Sequence, residues 1–276
     1  MRTVPIELAE QLERAEAMVW QDMVDAAPQH FIQDTGLSMD LIAGNTCISC
    51  AGIPFVHFNC AIGFGTRKRV VEKELDGLIS HYQHKKSPLF LFAVQGLHEY
   101  IEPILMDRGF VPAGRWERLF RDNRELRTPG YRMPQKWTIK RVNETNAETW
   151  ADFVSNIYEM PVTKDWLLNF AIRESWSHYL LEEAGKIIAV RSMYKGPDNF
   201  AFLGIEAPIP GIMTTNYQMD TALLWQIIKD GLKEGVKRFV ADIEMVDEQG
   251  ATPAYANAQM LGFLIPYRRL LYKKMP

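Results

Sequence analysis

A chain of 276 residues is long enough for two domains, each with its own core. With 47% apolar and 24% charged residues it reads as globular, and no apolar run reaches the roughly 18 residues that span a bilayer. A formal charge of −3, with basic residues only in short scattered clusters such as Arg67-Lys68-Arg69, argues against a nucleic-acid partner.

The first element expected is a helix after Pro5, with Leu8, Leu12, Ala15, Val19 and Met23 on one face, stopped near Pro28. No apolar core with small residues after it follows the N-terminal Met, so a secretory leader is not expected. From Leu37 to Gly65, short apolar runs broken at Gly44-Asn45, Gly52 and Pro54 predict antiparallel strands. Arg67 to Tyr82 predicts a helix, Leu89 to Val94 a buried strand, then a helix to Arg108, Gly109-Phe110, and a strand from Arg115 to Arg121. Residues 122–135 carry Asn123, Pro129, Gly130 and Pro134 without an apolar period, and predict a linker. The expected domains are therefore 1–121 and 136–276.

The second half opens with a strand from Trp137 to Arg141. Two helices follow, one around Trp150, Phe153, Val154 and Ile157, one over Lys164 to Arg173. Strands are expected over Tyr179–Glu182, Ile187–Tyr194 and Phe200–Glu206, with turns at Ala184-Gly185 and Gly196-Pro197-Asp198-Asn199. A helix from Thr221 to Glu234, a strand from Phe239 to Ile243, a helix from Pro253 to Leu261 and a strand from Tyr267 to Lys273 complete the chain. The last four elements repeat the order of residues 67–120. Gly109-Phe110 with Arg118-Leu119 matches Gly262-Phe263 with Arg269-Leu270, which points to duplication of one fold.

Three cysteines, an odd number, fit a reducing compartment, and we expect a cytoplasmic protein. Cys47-Ile-Ser-Cys50 lies in a strand-like run, where residues three apart face opposite ways, so buried structural thiols are expected and no metal site. The six histidines show no metal-ligand spacing. Gly63-Phe-Gly65 before a helix is a bare G-x-G, a weak phosphate-loop signal.

The element order of residues 137–273 resembles the GNAT acetyltransferase fold. Asn59-x-x-x-Gly63, Gly114-Arg115-Trp116 and Asn257-x-x-x-x-Gly262-Phe263 resemble segments of bacterial tandem-GNAT proteins. The resemblance implies an α/β (α+β) chain of two tandem GNAT-like mixed-sheet halves, the N-terminal one partial. It also implies acetyl-CoA as cofactor, a small-molecule amine as acceptor and N-acetyl transfer as the reaction. A homodimer is compatible with it.

Carried onto this chain, the pantetheine strand is the one ending at Glu206, whose neighbours Ile205 and Ala207 lend backbone groups. The pyrophosphate loop falls on Thr215, Asn216, Tyr217, Gln218, Met219 and Asp220, with Asn257 nearby. The family writes this loop Gln/Arg-x-x-Gly-x-Gly/Ala, so that backbone N–H groups reach the phosphates unobstructed. Here Thr215 leads, and Gln218 and Asp220 replace both glycines. An aspartate at ~4 Å from a phosphate charge, at an effective dielectric of about 20, is repelled by on the order of 4 kcal/mol. Asp220 equally suits the N-cap of a helix starting at Thr221. The resemblance implies Glu206 as general base; the position four before Gly262, where many relatives carry a tyrosine acid, is Ala258 here, which leaves Tyr255, Tyr267 or Tyr272 to substitute, with Tyr267 the candidate general acid. Asp242 and Glu244, two apart at a strand end, can receive the amine. The alternative is a pseudoenzyme of this fold that binds another small ligand or a protein without CoA chemistry.

Overall fold

The computed structural model describes residues 5–66, 72–97, 100–128, 133–208, 218–245 and 253–275. In chain order the elements are α1 (Ile6–Asp25), α2 (Gln29–Thr35), β1 (Ser38–Ile42), β2 (Asn45–Ser49), β3 (Cys60–Ile62), α3 (Glu72–Lys85), β4 (Phe90–Val94), α4 (Glu102–Asp107) and β5 (Phe110–Asp122). They continue with β6 (Trp137–Arg141), α5 (Ala147–Ile157), α6 (Lys164–Ala171), β7 (Trp176–Glu183), β8 (Lys186–Lys195) and β9 (Phe200–Pro208). The last are α7 (Gln218–Lys233), β10 (Arg238–Glu244), α8 (Pro253–Met260) and β11 (Leu264–Lys274). Among the described residues no helix is long and apolar enough to cross a membrane.

The chain forms two compact units. The first holds residues 1–118, 244–246 and 265–276, the second residues 119–243 and 247–264. The closing strand β11 thus lies almost wholly in the first unit, and the last residues of β5 lie in the second.

In the first unit the strand order is β1-β2-β3-β4-β11-β5. The β1–β2 hairpin turns on two residues, Ala43 and Gly44, both with positive φ, as a type I′ turn requires. That places the break one residue before the expected Gly44-Asn45. β3 then runs parallel to β4, Cys60 opposite Phe90, and β11 runs antiparallel to β4, Leu270 opposite Ala93. One face of the sheet packs Leu91 and Ala93 against Leu75, Leu78 and Tyr82 of α3 and Leu105 of α4. Period-2 alternation sends Phe92 to the other face, under the Arg269 guanidinium at 4.3 Å.

A buried charge network involves α1. Glu13 and Glu16 are 2% and 3% exposed, and Arg118 of β5 and Arg269 of β11 are fully buried. Arg118 donates to Glu13 at 2.8 Å and to Glu16 at 2.5 Å, and Arg269 donates to Glu16 at 2.6 Å. Burial pushes the Glu16 carboxyl up, but Arg269 and Arg118 more than offset it and hold it down to about 2. Two guanidinium groups against two carboxylates leave the cluster neutral, the condition under which such burial is tolerated.

Asn59 is fully buried and ties the segment after β2 to the start of β3. Its amide donates to the carbonyls of Ile53 (2.7 Å) and Phe55 (3.0 Å), and its oxygen accepts from the Cys50 N–H (2.9 Å). Cys47, Cys50 and Cys60 are buried free thiols, and burial pushes Cys47 up to about 12.

In the second unit β6, β7, β8 and β9 form an antiparallel meander, β10 pairs in parallel with β9, and β5 lies beside β10. The β7–β8 hairpin again turns on Ala-Gly with positive φ, here Ala184 and Gly185. The sequence of pairings β1-β2-β3-β4 therefore recurs as β7-β8-β9-β10, antiparallel, antiparallel, then parallel. His178 is buried among Trp150, Phe170 and Trp176. Its Nδ1 lies 2.6 Å from the Ser192 hydroxyl, and burial lowers it to about 3, so the ring is neutral.

Candidate functional site

The site expected from sequence lies along β9 beyond its pairing with β10. Between β8 and β9 the register passes from Ser192–Gly204 to Val190–Ala207, so Arg191 stands opposite both Ile205 and Glu206. That is a bulge on β9. Ile205 takes φ +45, a conformation that a β-branched residue adopts only under strain. On the other side, the parallel register with β10 covers Phe200–Phe202 against Arg238–Val240. Beyond it lies a small cavity lined by Leu119, Arg191, Glu206, Leu224, Ile243 and Phe263 among others. Its volume is about 20 Å³, room for one water molecule.

Charged side chains fill this region. Arg191, 6% exposed, donates to the Glu206 carboxylate at 2.8 Å and to the carboxylate of Asp220, which is 4% exposed. The Asn257 side chain hydrogen-bonds Asp220. The Tyr158 hydroxyl of the segment after α5 donates to the Glu206 carbonyl at 2.7 Å. Burial pushes Tyr158 up to about 12, with the Glu206 charge adding to it. Burial likewise raises Asp220, to about 7, against the pull of Arg191 and with the push of Glu206.

Several sequence expectations meet here and others do not. Among the described residues α7 is already helical at Gln218, before the expected Thr221, so Asp220 lies within the helix and its side chain serves Arg191. Gln218 is exposed and Met219 is buried. Ala207 is buried on β9 opposite Val190. Thr215, Asn216 and Tyr217 lie outside the described residues. Asp242 is half-buried on β10 and Glu244 is exposed at its end. Neither lines the cavity, and Glu244 belongs to the first unit. Tyr267 also belongs to the first unit, buried, with its hydroxyl donated to Glu13 at 2.7 Å.

The residue that sequence reasoning missed is Arg191. The signal was present: a guanidinium in the middle of Ile187–Tyr194, an otherwise apolar strand, demands a buried carboxylate partner.

Among the described residues expected to meet an acyl-CoA, the carboxylates of Glu206 and Asp220 are held by Arg191, and Asn257 is engaged with Asp220.

Among solved structures the chain is similar to a GCN5-related N-acetyltransferase from Sphaerobacter thermophilus, with TM-score 0.63 at 14% identity over 99% of this chain and 94% of that one. A second, from Kribbella flavida, gives TM-score 0.62 at 10% identity over 94% and 95%. No family model matches the chain, and no curated protein matches it. The class defined is thus a mixed α/β chain with the GCN5-related N-acetyltransferase fold. More particularly, it is similar to a tandem GNAT protein from the clavulanic acid biosynthesis pathway, with TM-score 0.53 at 12% identity over 83% and 78%.

Proposed function

We propose that this chain is a duplicated GNAT-fold protein whose second unit has exchanged acyl-CoA binding for an internal ion cluster, and which acts by binding rather than by acetyl transfer. The recurrence of the β1–β4 pairings in β7–β10, with an Ala-Gly turn in each first hairpin, supports the duplication. The observation that carries the functional reading is Arg191, held between Glu206 and Asp220 in the gap where the fold would admit the cofactor. Three buried free thiols support a reducing, cytoplasmic setting.

Calorimetric titration of the full chain with acetyl-CoA and with CoA at low salt tests this. The expected result is no heat, and no thermal shift at millimolar cofactor. Micromolar binding overturns it.

A second reading is favoured by one observation, the strained bulge at Ile205 on the stretch of β9 that lies beyond its pairing with β10. On that reading the chain is an acetyl-CoA-dependent N-acetyltransferase acting on a small amine, with Glu206 as base. Release of free CoA in the presence of a panel of amines, reported by a thiol reagent, would support it over the first.

A further inference from the structure

A second cavity lies in the first unit, remote in sequence from the β9 bulge. Its volume is about 250 Å³, and α1 forms one wall, with β1, β2 and the end of β3 forming the others. Such a space replaces roughly eight waters at ~30 Å³ each, the size of a metabolite with a leucine- or phenylalanine-sized body. Met18, Met39 and Ile62 supply an apolar lining, and methionines adapt to irregular shapes.

Glu10 and Arg14 stand at the same wall, four residues apart on α1. That spacing puts their Cα atoms about 6 Å apart along the helix axis, where an acidic and a basic side chain ordinarily pair. Here neither makes a hydrogen bond or ion pair among the described residues. Glu10 is half-buried and Arg14 exposed, so both charges are open to a ligand. The other carboxylate at the cavity, Glu13, is already paired with Arg118 at 2.8 Å and accepts a hydrogen bond from the Tyr267 hydroxyl at 2.7 Å. Among the described residues the unpaired charges at this cavity are therefore one negative and one positive, which a cation or an anion alone leaves half satisfied.

We propose that this cavity is a binding site for a small zwitterion, an amino acid with an apolar side chain, its ammonium on Glu10, its carboxylate on Arg14 and its side chain against Met18, Met39 and Ile62. The site does not depend on whether the second unit takes a cofactor.

The test is calorimetric titration of the full chain with L-leucine and L-phenylalanine, beside phenethylamine and 3-phenylpropionate, which keep the body of phenylalanine but one charge each. The amino acids bind, and each single-charge analogue binds at least about tenfold more weakly, as loss of a charge-assisted contact predicts. Glu10→Gln and Arg14→Gln each weaken phenylalanine at least about tenfold with the melting temperature of the free protein unchanged. Met39→Trp, which fills the cavity, abolishes binding. Absence of binding by either amino acid at millimolar concentration overturns the proposal. So does phenethylamine binding as tightly as phenylalanine, or affinity indifferent to both charge substitutions.

Discussion

Arg191 on β8 and Asp220 in the first turn of α7 meet as a buried pair, 29 positions apart in sequence and 6% and 4% exposed. The first turn of this helix offers free N–H groups and a positive dipole end, which suit an anion. In this chain the anion is supplied internally, and the arginine opposite the β9 bulge neutralises it. Glu206, the best candidate base in the sequence, is bound to the same guanidinium at 2.8 Å through one carboxylate oxygen.

Removing the arginine alone leaves two carboxylates without compensation. Arg191→Met is expected to destabilise the chain by about 3–5 kcal/mol, whereas Arg191→Met with Asp220→Leu recovers most of that loss. Urea denaturation of the two single variants and the double variant checks this, and a double-variant loss equal to the sum of the two single losses would show that the pair is not coupled.

The four-charge cluster of the first unit makes the same demand on Glu16. Glu16→Gln leaves Arg118 and Arg269 with one carboxylate between them and is expected to cost about 3–5 kcal/mol. The cluster also has a pH signature. The folded carboxyl is held at about 2, below its unfolded value, so its stabilisation is present above that unfolded value and is lost as pH falls toward 2. A Glu16→Gln variant should lack that part of the acid transition in denaturation curves recorded from pH 5 downward.

His178 gives a second pH dependence at milder acidity. Its folded pKa is lowered to about 3 by burial, so the unfolded chain takes up the proton first and stability falls as pH drops below the unfolded value. With an unfolded pKa of about 6.5, the loss between pH 7 and pH 5 is about 2 kcal/mol. Comparing denaturation midpoints at the two pH values, in the parent and in His178→Gln, checks it: the substituted chain should show a shallower dependence over this range.

Ile205 holds a backbone conformation that its branched Cβ opposes. Ile205→Asn, which tolerates positive φ, is expected to raise stability by about 1 kcal/mol. A melting temperature below that of the parent would mean that packing by the isoleucine side chain outweighs the strain it carries.

Much of the architecture is set by local pattern. The 3-and-4 spacing of Leu12, Ala15 and Val19, the unbroken apolar run Leu89–Val94 and the turn at Ala184-Gly185 each satisfy a local physical requirement, and the corresponding helix, strand and turn are present. The recurring helix-strand-helix-strand order with its two Gly-Phe steps is likewise legible, because each copy must bury its own apolar faces. The role of Asp220 was less so: it lies inside α7, helical from Gln218 among the described residues, and its side chain meets Arg191 on β8.

What no local pattern contains is which charges meet. Glu13, Glu16, Arg118 and Arg269 look like ordinary solvated residues when read in line, yet all four are buried together, because β11 closes the first unit 150 residues after β5 has entered it. Arg191, Glu206 and Asp220 meet for the same kind of reason, since only the register of β8 with the bulged β9 fixes which face of the sheet the guanidinium occupies. A charge can leave water only where an opposite charge is waiting. That condition is set by strand pairing between distant segments, so the tertiary structure decided the chemistry of both units while the sequence determined the elements that carry it.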